Sequence, residues 1–278
     1  MLSVGPAHGS SMGKASTRER RVDALRGVAL VCIFVDHIPG SWLNWLTLRN
    51  FGLSDAAELF VMLSGFASMV AFGRTFSRDG ARAGLRRIAL RCLQLYVFQI
   101  GMLLTTLLTV WLWTSYYHLT PVHLAPMIYG GVAGIGRGLT LQAQPSNLNI
   151  LPLYILLLAA FPAMYAGLRL RPAFTLVVSA AVWLAANLVR DLNLTNALDG
   201  NGWFFNPFAW QFLFALGTTL AMVMAHREGS LPRLPWLVLL CWLLLGLGFL
   251  QAFPWQQWDL PNLAPLAIDP PDKTNLSP

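Results

Sequence analysis

Charge is the scarcest commodity in this sequence. Only 11% of its 278 residues are Asp, Glu, Lys or Arg, against 56% hydrophobic, where a soluble domain averages about 25% charged. A soluble globular domain is therefore excluded. The chain reads as a polytopic membrane protein in which one helical domain uses nearly the whole length. Cysteine is almost as sparse. Cys32, Cys92 and Cys241 each fall inside an apolar run, without metal-ligand spacing, which argues against a disulfide framework or a metal centre and for small apolar fillers. The net charge of +7 comes from cations gathered between apolar runs, so it is a topology signal and not a nucleic-acid one. No nucleic-acid module and no internal repeat is legible.

What is present is apolar length. Runs at 23–43, 54–73, 88–114, 150–168, 173–190, 208–225 and 235–253 predict an all-α polytopic transmembrane helix bundle of about seven spans. Residues 1–20 are expected to be a disordered basic arm, 21–255 the membrane domain, and 256–278 an exposed loop or a truncated tail. No small-residue cleavage site follows the first run, which also carries charges, so it is read as an uncleaved span. Cations alternate between loops. Lys14, Arg18, Arg20 and Arg21, then Arg74 to Arg87, Arg169 and Arg171, and Arg227 and Arg233 lie on one side. Only Arg49, Arg137, Arg190 and Lys273 lie on the other. The positive-inside rule makes the N-terminus cytoplasmic. Residues 115–149 lack a full apolar run and carry His118, His123, Arg137, Gln142, Gln144, Asn147 and Asn149. That is too long for a simple connector, so the segment is expected to be functional or partly re-entrant, with His118 and His123 as ordinary loop residues.

The first run organises the rest, because it holds Asp23, Arg26, Asp36 and His37. A charge at the bilayer centre costs about 2.5–3.5 kcal/mol on insertion scales, which makes such groups functional candidates by default. Arg26 and His37 are eleven residues apart, about three helical turns and about 16 Å, so both leave one helix face. Asp23 is placed to pair with Arg26 at i, i+3. The competing reading puts Asp23 and Arg26 at headgroup level, with Arg26 snorkelling, and His37 at the interface beside Pro39-Gly40. Asp36 is a poor partner for its neighbour His37, whereas Glu58, one turn into the second run, reaches a similar depth. A His37–Glu58 pair would give a general base its orienting carboxylate. The alternative for Glu58 and Asp55 is helix capping, with Ser54 as N-cap.

Ser64, Gly65 and Ser68 form a small-residue face suited to close helix packing. Arg74, Arg78, Arg82, Arg86, Arg87 and Arg91 read either as positive-inside anchors or as a groove for a phosphate-rich ligand, which Arg matches bidentately. Trp203, Phe204, Phe205, Phe208 and Trp210 read as an interfacial belt or as a sugar-stacking platform. Asn206-Pro207 opens the sixth helix, with Asn as N-cap and Pro at the first helical position.

Several of these residues carry a resemblance. Arg26-x10-His37, after Asp23-Ala-Leu-Arg-Gly27, resembles the signature of the acyltransferase-3 superfamily, and Leu59-Phe-Val-Met-Leu-Ser-Gly-Phe66 resembles its second-span motif. Ile150-Leu-Pro-Leu-Tyr154 and Trp203-Phe-Phe-Asn-Pro-Phe-Ala-Trp-Gln211 resemble the OpgC family of membrane succinyltransferases, over about residues 20–276. That resemblance implies a multi-pass protein of the bacterial inner membrane that moves an acyl group, succinyl in this family, from a cytoplasmic acyl-CoA to hydroxyls of a periplasmic glucan. The acyl-CoA is then a donor substrate, with no permanently bound cofactor, no metal and no nucleic-acid partner. It implies that His37 is general base or transient acyl carrier; Glu58 would orient it, and Arg26, three turns away, completes the expected catalytic set. Arg26, Arg82, Arg86, Arg87 and Arg91 would hold the donor, and Asn149, Trp203, Asn206, Trp210 and Gln211 the glucan. The family pattern has an acid where Asn149 stands. It also has more spans than the seven read here, so the chain is expected to stop inside the pattern, just past Asp272-Lys-Thr-Asn275. An inactive truncated membrane subunit, or a transporter or flippase, stands as the alternative; the latter would show paired broken spans in two halves of the chain, and none is visible.

Overall fold

A computed structural model describes residues 20–52, 54–120, 124–145, 147–189, 191–226, 234–264 and 273–276. The arm before residue 20, with Lys14 and Arg18, and also His123, Arg190, Arg227 and Arg233, lie outside the described residues. The regular elements are helical: α1 (Arg20–Asp36), α2 (Ala56–Ser68), a π-turn (Met69–Gly73), α3 (Arg74–Arg78), α4 (Gly80–Tyr117), α5 (Ala125–Ile128), α6 (Gly131–Leu139), α7 (Ile150–Leu170), α8 (Pro172–Leu188), α9 (Pro207–His226) and α10 (Pro235–Ala252). The only pairing of strand type among the described residues is an isolated bridge, Thr195–Gly202.

Five of these helices are long and apolar enough to cross a membrane: Ala56–Arg78, α4, α7, α9 and α10. The expected first and fifth spans, α1 and α8, are 17 residues each, at the lower end of the range of about 17–25 residues for a spanning helix. α1 stops at Asp36 because Pro39 offers no amide to continue it and Gly40 turns away at φ +72°. Between 115 and 149, the expected irregular stretch contains α5 and α6, whose Met127 packs with Leu103, Leu107 and Leu148.

α2 is the central element, flanked by α1, α7 and α9. Its small-residue face does what the pattern predicts. Ser64 and Ser68 are buried, and a Cβ on Gly65 would overlap the Phe214 carbonyl of α9. Reciprocally, a Cβ on Gly217 would overlap the Met62 carbonyl of α2. Thr218 Oγ1 fastens the crossing, donating to its own helix at Phe214 O (2.8 Å) and lying 3.3 Å from Gly65 O. With no hydrophobic drive between helices in lipid, such backbone approach is a main source of association. Gly65→Val and Gly217→Val are each expected to cost at least the 1–3 kcal/mol typical of about one overpacked site, read as loss of the folded band in detergent thermal unfolding; Gly246→Val, where a Cβ meets nothing within 4 Å, is the matched control.

The C-terminal stretch departs from the expected exposed tail. Residues 273–276 lie in a recess among α2, α8 and α9. Trp183 Nε1 donates to Leu276 O (3.1 Å), Asn187 Nδ2 to Asn275 O (2.9 Å), and Trp210 Nε1 to Lys273 O (3.0 Å). The chain thus uses its own tail to satisfy polar groups that the helices carry into the core.

Candidate functional site

Two cavities lie along α1, one at each end. The first, about 600 Å³, is lined by Asp23 and Arg26 of α1, by Ser68 and the π-turn, by Arg74 and Arg78 of α3, by Arg87 and Arg91 of α4, and by Tyr154 of α7. The π-turn widens the helix by a residue, and within it Ala71 O accepts from Arg87 Nη1 (3.2 Å); the same nitrogen donates to Thr75 Oγ1 (2.7 Å). Arg87 is therefore partly committed to structure, and its guanidinium lies 5.7 Å over the Phe72 ring. Arg26 sits 4.0 Å from Asp23 and lies over the rings of Phe60 (5.4 Å) and Tyr154 (6.0 Å). Its Nε, with the hydroxyls of Ser64 and Ser68, is buried without a hydrogen-bond partner. Buried donors beside an arginine-lined cavity suit an anionic ligand, which accepts from both.

Arg82 and Arg86 do not line this cavity and are exposed. The reason is helical phase. Arg87 and Arg91 share a face at i, i+4, and Arg86 is turned about 100° from Arg87. Arg74 and Arg78, also at i, i+4, take their place.

The second cavity, about 840 Å³, is lined by Asp36 and His37 at the end of α1, Arg49, Asp55, Asn147 and Asn149, Phe204 and Phe205, and Lys273. His37 Nδ1 lies 2.6 Å from Ile33 O. A carbonyl only accepts, so Nδ1 is the donor, and in the neutral imidazole Nε2 is then the acceptor. Asp36 Oδ1 accepts from Thr47 Oγ1 (2.5 Å), which ties the end of α1 to the 3-10 turns over Trp42–Asn50.

Glu58 is not the partner of His37. Asp55, one residue later than the expected cap, is the N-cap of α2 in a reciprocal capping box: its side chain accepts from Ala57 N (2.7 Å), and Asp55 N donates to Glu58 Oε2 (2.7 Å). That geometry bends Glu58 back over the helix start. Its other oxygen accepts from Lys273 Nζ at 2.6 Å, and Lys273 also stands 3.3 Å from Asp55. Burial raises the Asp55 carboxyl, but the hydrogen bonding with Glu58, the Lys273 charge and the Ala57 amide outweigh it and hold Asp55 below the usual carboxylate value.

The residues expected to hold a glucan are mostly spent on packing. Trp203 is buried, and its carbonyl accepts from Asn193 Nδ2 (2.9 Å). Asn206 caps α9 as expected, accepting from Phe208 N (3.0 Å), while its amide donates to Leu192 O and Asn275 Oδ1. Trp210 is fully buried against the tail. Gln211 exchanges bonds with Ser179. Of that set Asn149 alone lines the cavity; Phe204 and Phe205, an edge-to-face pair at 4.8 Å, supply its aromatic wall.

On this geometry a comparison with known proteins is decisive for the family. The family model described as OpgC protein matches residues 18–278. The chain belongs to the OpgC family. No curated protein and no solved structure matches it. As an OpgC-family membrane protein, it has a cavity at each end of the helix that holds Arg26 and His37, and the aromatic stretch 203–211 serves mainly to build the fold around one of them.

Proposed function

We propose that this protein is an acyltransferase of the bacterial inner membrane, of acyltransferase-3 type. It moves an acyl group, succinyl, from a cytoplasmic acyl-CoA to a hydroxyl of a periplasmic glucan. The observation that carries this is the placement of Arg26 in the arginine-lined cavity and of His37 in the other, on one helix. With the N-terminus cytoplasmic, the arginine cavity faces the donor's side. Arg74, Arg78 and Arg91 bind its phosphates there. The second cavity opens toward the acceptor. His37 Nε2 takes the proton of the sugar hydroxyl as its oxygen attacks the thioester carbonyl; the C–O bond forms, the C–S bond breaks, and the departing thiolate recovers a proton. The Phe60 and Tyr154 rings, edge to face with Arg26 over both, are the partition we assign to the path of the acyl group.

The test is mass spectrometry of periplasmic glucans from a strain lacking the gene, with and without the gene restored. Anionic acyl substituents lost on deletion and regained on restoration are expected. Glucans unchanged by either step would overturn the acceptor and the activity together. Within that activity, Arg78→Ala and Arg91→Ala are each expected to raise KM for acyl-CoA about tenfold, the loss of one charge-assisted contact in a solvated site. Arg86→Ala, outside the cavity, is expected to leave KM alone, as saturation curves on membrane vesicles would show.

A further inference from the structure

α4 carries two pairs of arginines on different faces, and acyl transfer uses only one of them. Arg87 and Arg91 line the first cavity, and so does Asp79, the acid just ahead of the helix. Arg82 and Arg86 lie outside it, exposed, and make no hydrogen bond or ion pair among the described residues. Helix phase shows what they share a face with. At about 100° per residue, Arg82, Arg86, Leu90, Leu93 and Val97 fall within about 80° of one another, and all five are exposed. Further along, this stripe runs into a groove of about 450 Å³ on the same helix, lined by Val97, Phe98, Gly101, Met102, Thr105 and Thr106. Gly101 opens the groove by lacking a side chain: a Cβ there would meet nothing within 4 Å. Thr105 satisfies its hydroxyl within the helix, donating to Gly101 O (2.8 Å).

The dimensions are those of one lipid. α4 has 38 residues, about 57 Å at 1.5 Å per residue, so it extends beyond a hydrocarbon core of about 30 Å. Leu90 to Gly101 spans about 16 Å of helix, the depth of one leaflet, about half that core. Arg86 stands one turn before Leu90 and Arg82 one turn before that, at headgroup level. The helix start adds the positive end of its dipole, since Asp79 makes no side-chain cap there. General anchoring by cations asks only for positive charge at the interface. Here charge, apolar stripe and groove follow one another on one face. We propose that this outer face of α4 is a binding site for an anionic phospholipid. Arg82 and Arg86 hold the headgroup phosphate, which a guanidinium matches bidentately. One acyl chain lies along Leu90, Leu93 and Val97 and ends in the groove at Gly101. A zwitterionic headgroup brings its own cation to the two arginines, so the site selects lipids of net negative charge. The site stands independently of acyl transfer.

The experiment is native mass spectrometry of the full chain, purified in detergent and offered equal amounts of phosphatidylglycerol and phosphatidylcholine with the same long chains. Wild type is expected to retain phosphatidylglycerol about tenfold over phosphatidylcholine. Arg86→Gln is expected to cut that preference about fivefold, and Arg82→Gln/Arg86→Gln to bring it near unity. Arg169→Gln/Arg171→Gln removes two exposed cations that are not on α4 and is expected to leave the preference unchanged. Equal retention of the two lipids by wild type, or a preference that survives the double α4 variant, overturns the proposal. So does an equal loss in both double variants, which is what general anchoring gives. Gly101→Leu tests the chain, because it fills the groove and leaves both arginines in place. It is expected to lower retention of phosphatidylglycerol severalfold; unchanged retention overturns the seating of the chain. Inorganic phosphate is expected not to displace the lipid, and displacement would assign the arginines to a free anion instead.

Discussion

Replacing His37 by Ala is expected to lower acyl transfer by about 10²–10⁴-fold, the usual contribution of a positioned general base, with the amount of folded protein in the membrane unchanged. The expectation of an intact fold comes from position. His37 is exposed, stands just past the last residue of α1, and its side chain bonds its own helix at Ile33 O. Losing such a bond costs about 1 kcal/mol, small beside the packing of α1 on α2. The expectation of a large kinetic effect comes from the same bond. It makes Nδ1 the donor, so that the neutral imidazole presents Nε2 as the acceptor, with no carboxylate required. His37→Gln tests the base directly, since it keeps a polar side chain and cannot take a proton. Glu58→Gln tests the orienting role from the other side. Because Glu58 bonds Asp55 N and Lys273, its loss should lower thermal stability and leave turnover per folded molecule close to wild type. Transfer at the wild-type rate by His37→Ala, measured as succinyl per hexose at matched protein level, would remove His37 from the mechanism.

The parts of this molecule legible in the sequence are those set by local periodicity. The i, i+11 spacing of Arg26 and His37 requires only that α1 be helical, and α1 carries Arg26 to one cavity and His37 to the other. The Ser64-Gly65-x2-Ser68 face and the Asn206-Pro207 helix start are likewise local, and both are found. What failed depended on phase or on distant chain. Arg82 and Arg86 share the basic stretch with Arg87 and Arg91, but a composition argument cannot tell which side of α4 meets α3. Trp210 and Gln211 read as a binding surface because nothing nearby accounts for them; their partners are Lys273 and Ser179, 63 and 32 residues away. Glu58 was assigned by depth alone. Two groups at equal depth in a bundle meet only if the helices also face each other, and the capping box turns Glu58 elsewhere. The helices α1 and α8 are shorter than the apolar runs that predict them, because a run of apolar residues continues past the points where the helices end, at Asp36 ahead of Pro39-Gly40 and at Leu188.

Lys273→Met is expected to be the most damaging single substitution outside the helices. Lys273 Nζ sits 2.6 Å from Glu58 and 3.3 Å from Asp55, with the three side chains 29%, 13% and 26% exposed. Removing the cation leaves two carboxylates side by side at the start of α2. Breaking a buried pair in this way costs about 3–5 kcal/mol, and the partial exposure here places the effect near the lower end. The damage should spread, because the same residue anchors the tail. Lys273 O accepts from Trp210 Nε1, and the next residues bind Asn206, Asn187 and Trp183. If Lys273 releases, Trp210 and Asn206 lose partners in the core, and the second cavity loses one wall. Thermal unfolding in detergent should therefore show a large fall in Tm for Lys273→Met, with Lys273→Arg recovering most of it. The double variant Lys273→Met/Glu58→Gln separates charge from anchoring. If the cost is the uncompensated carboxylate pair, the second substitution restores a large part of the lost stability, since it removes one charge and keeps the capping hydrogen bond to Asp55 N. If it restores nothing, the tail is held by its backbone contacts alone, and the ion pair contributes little to holding the cavity shut.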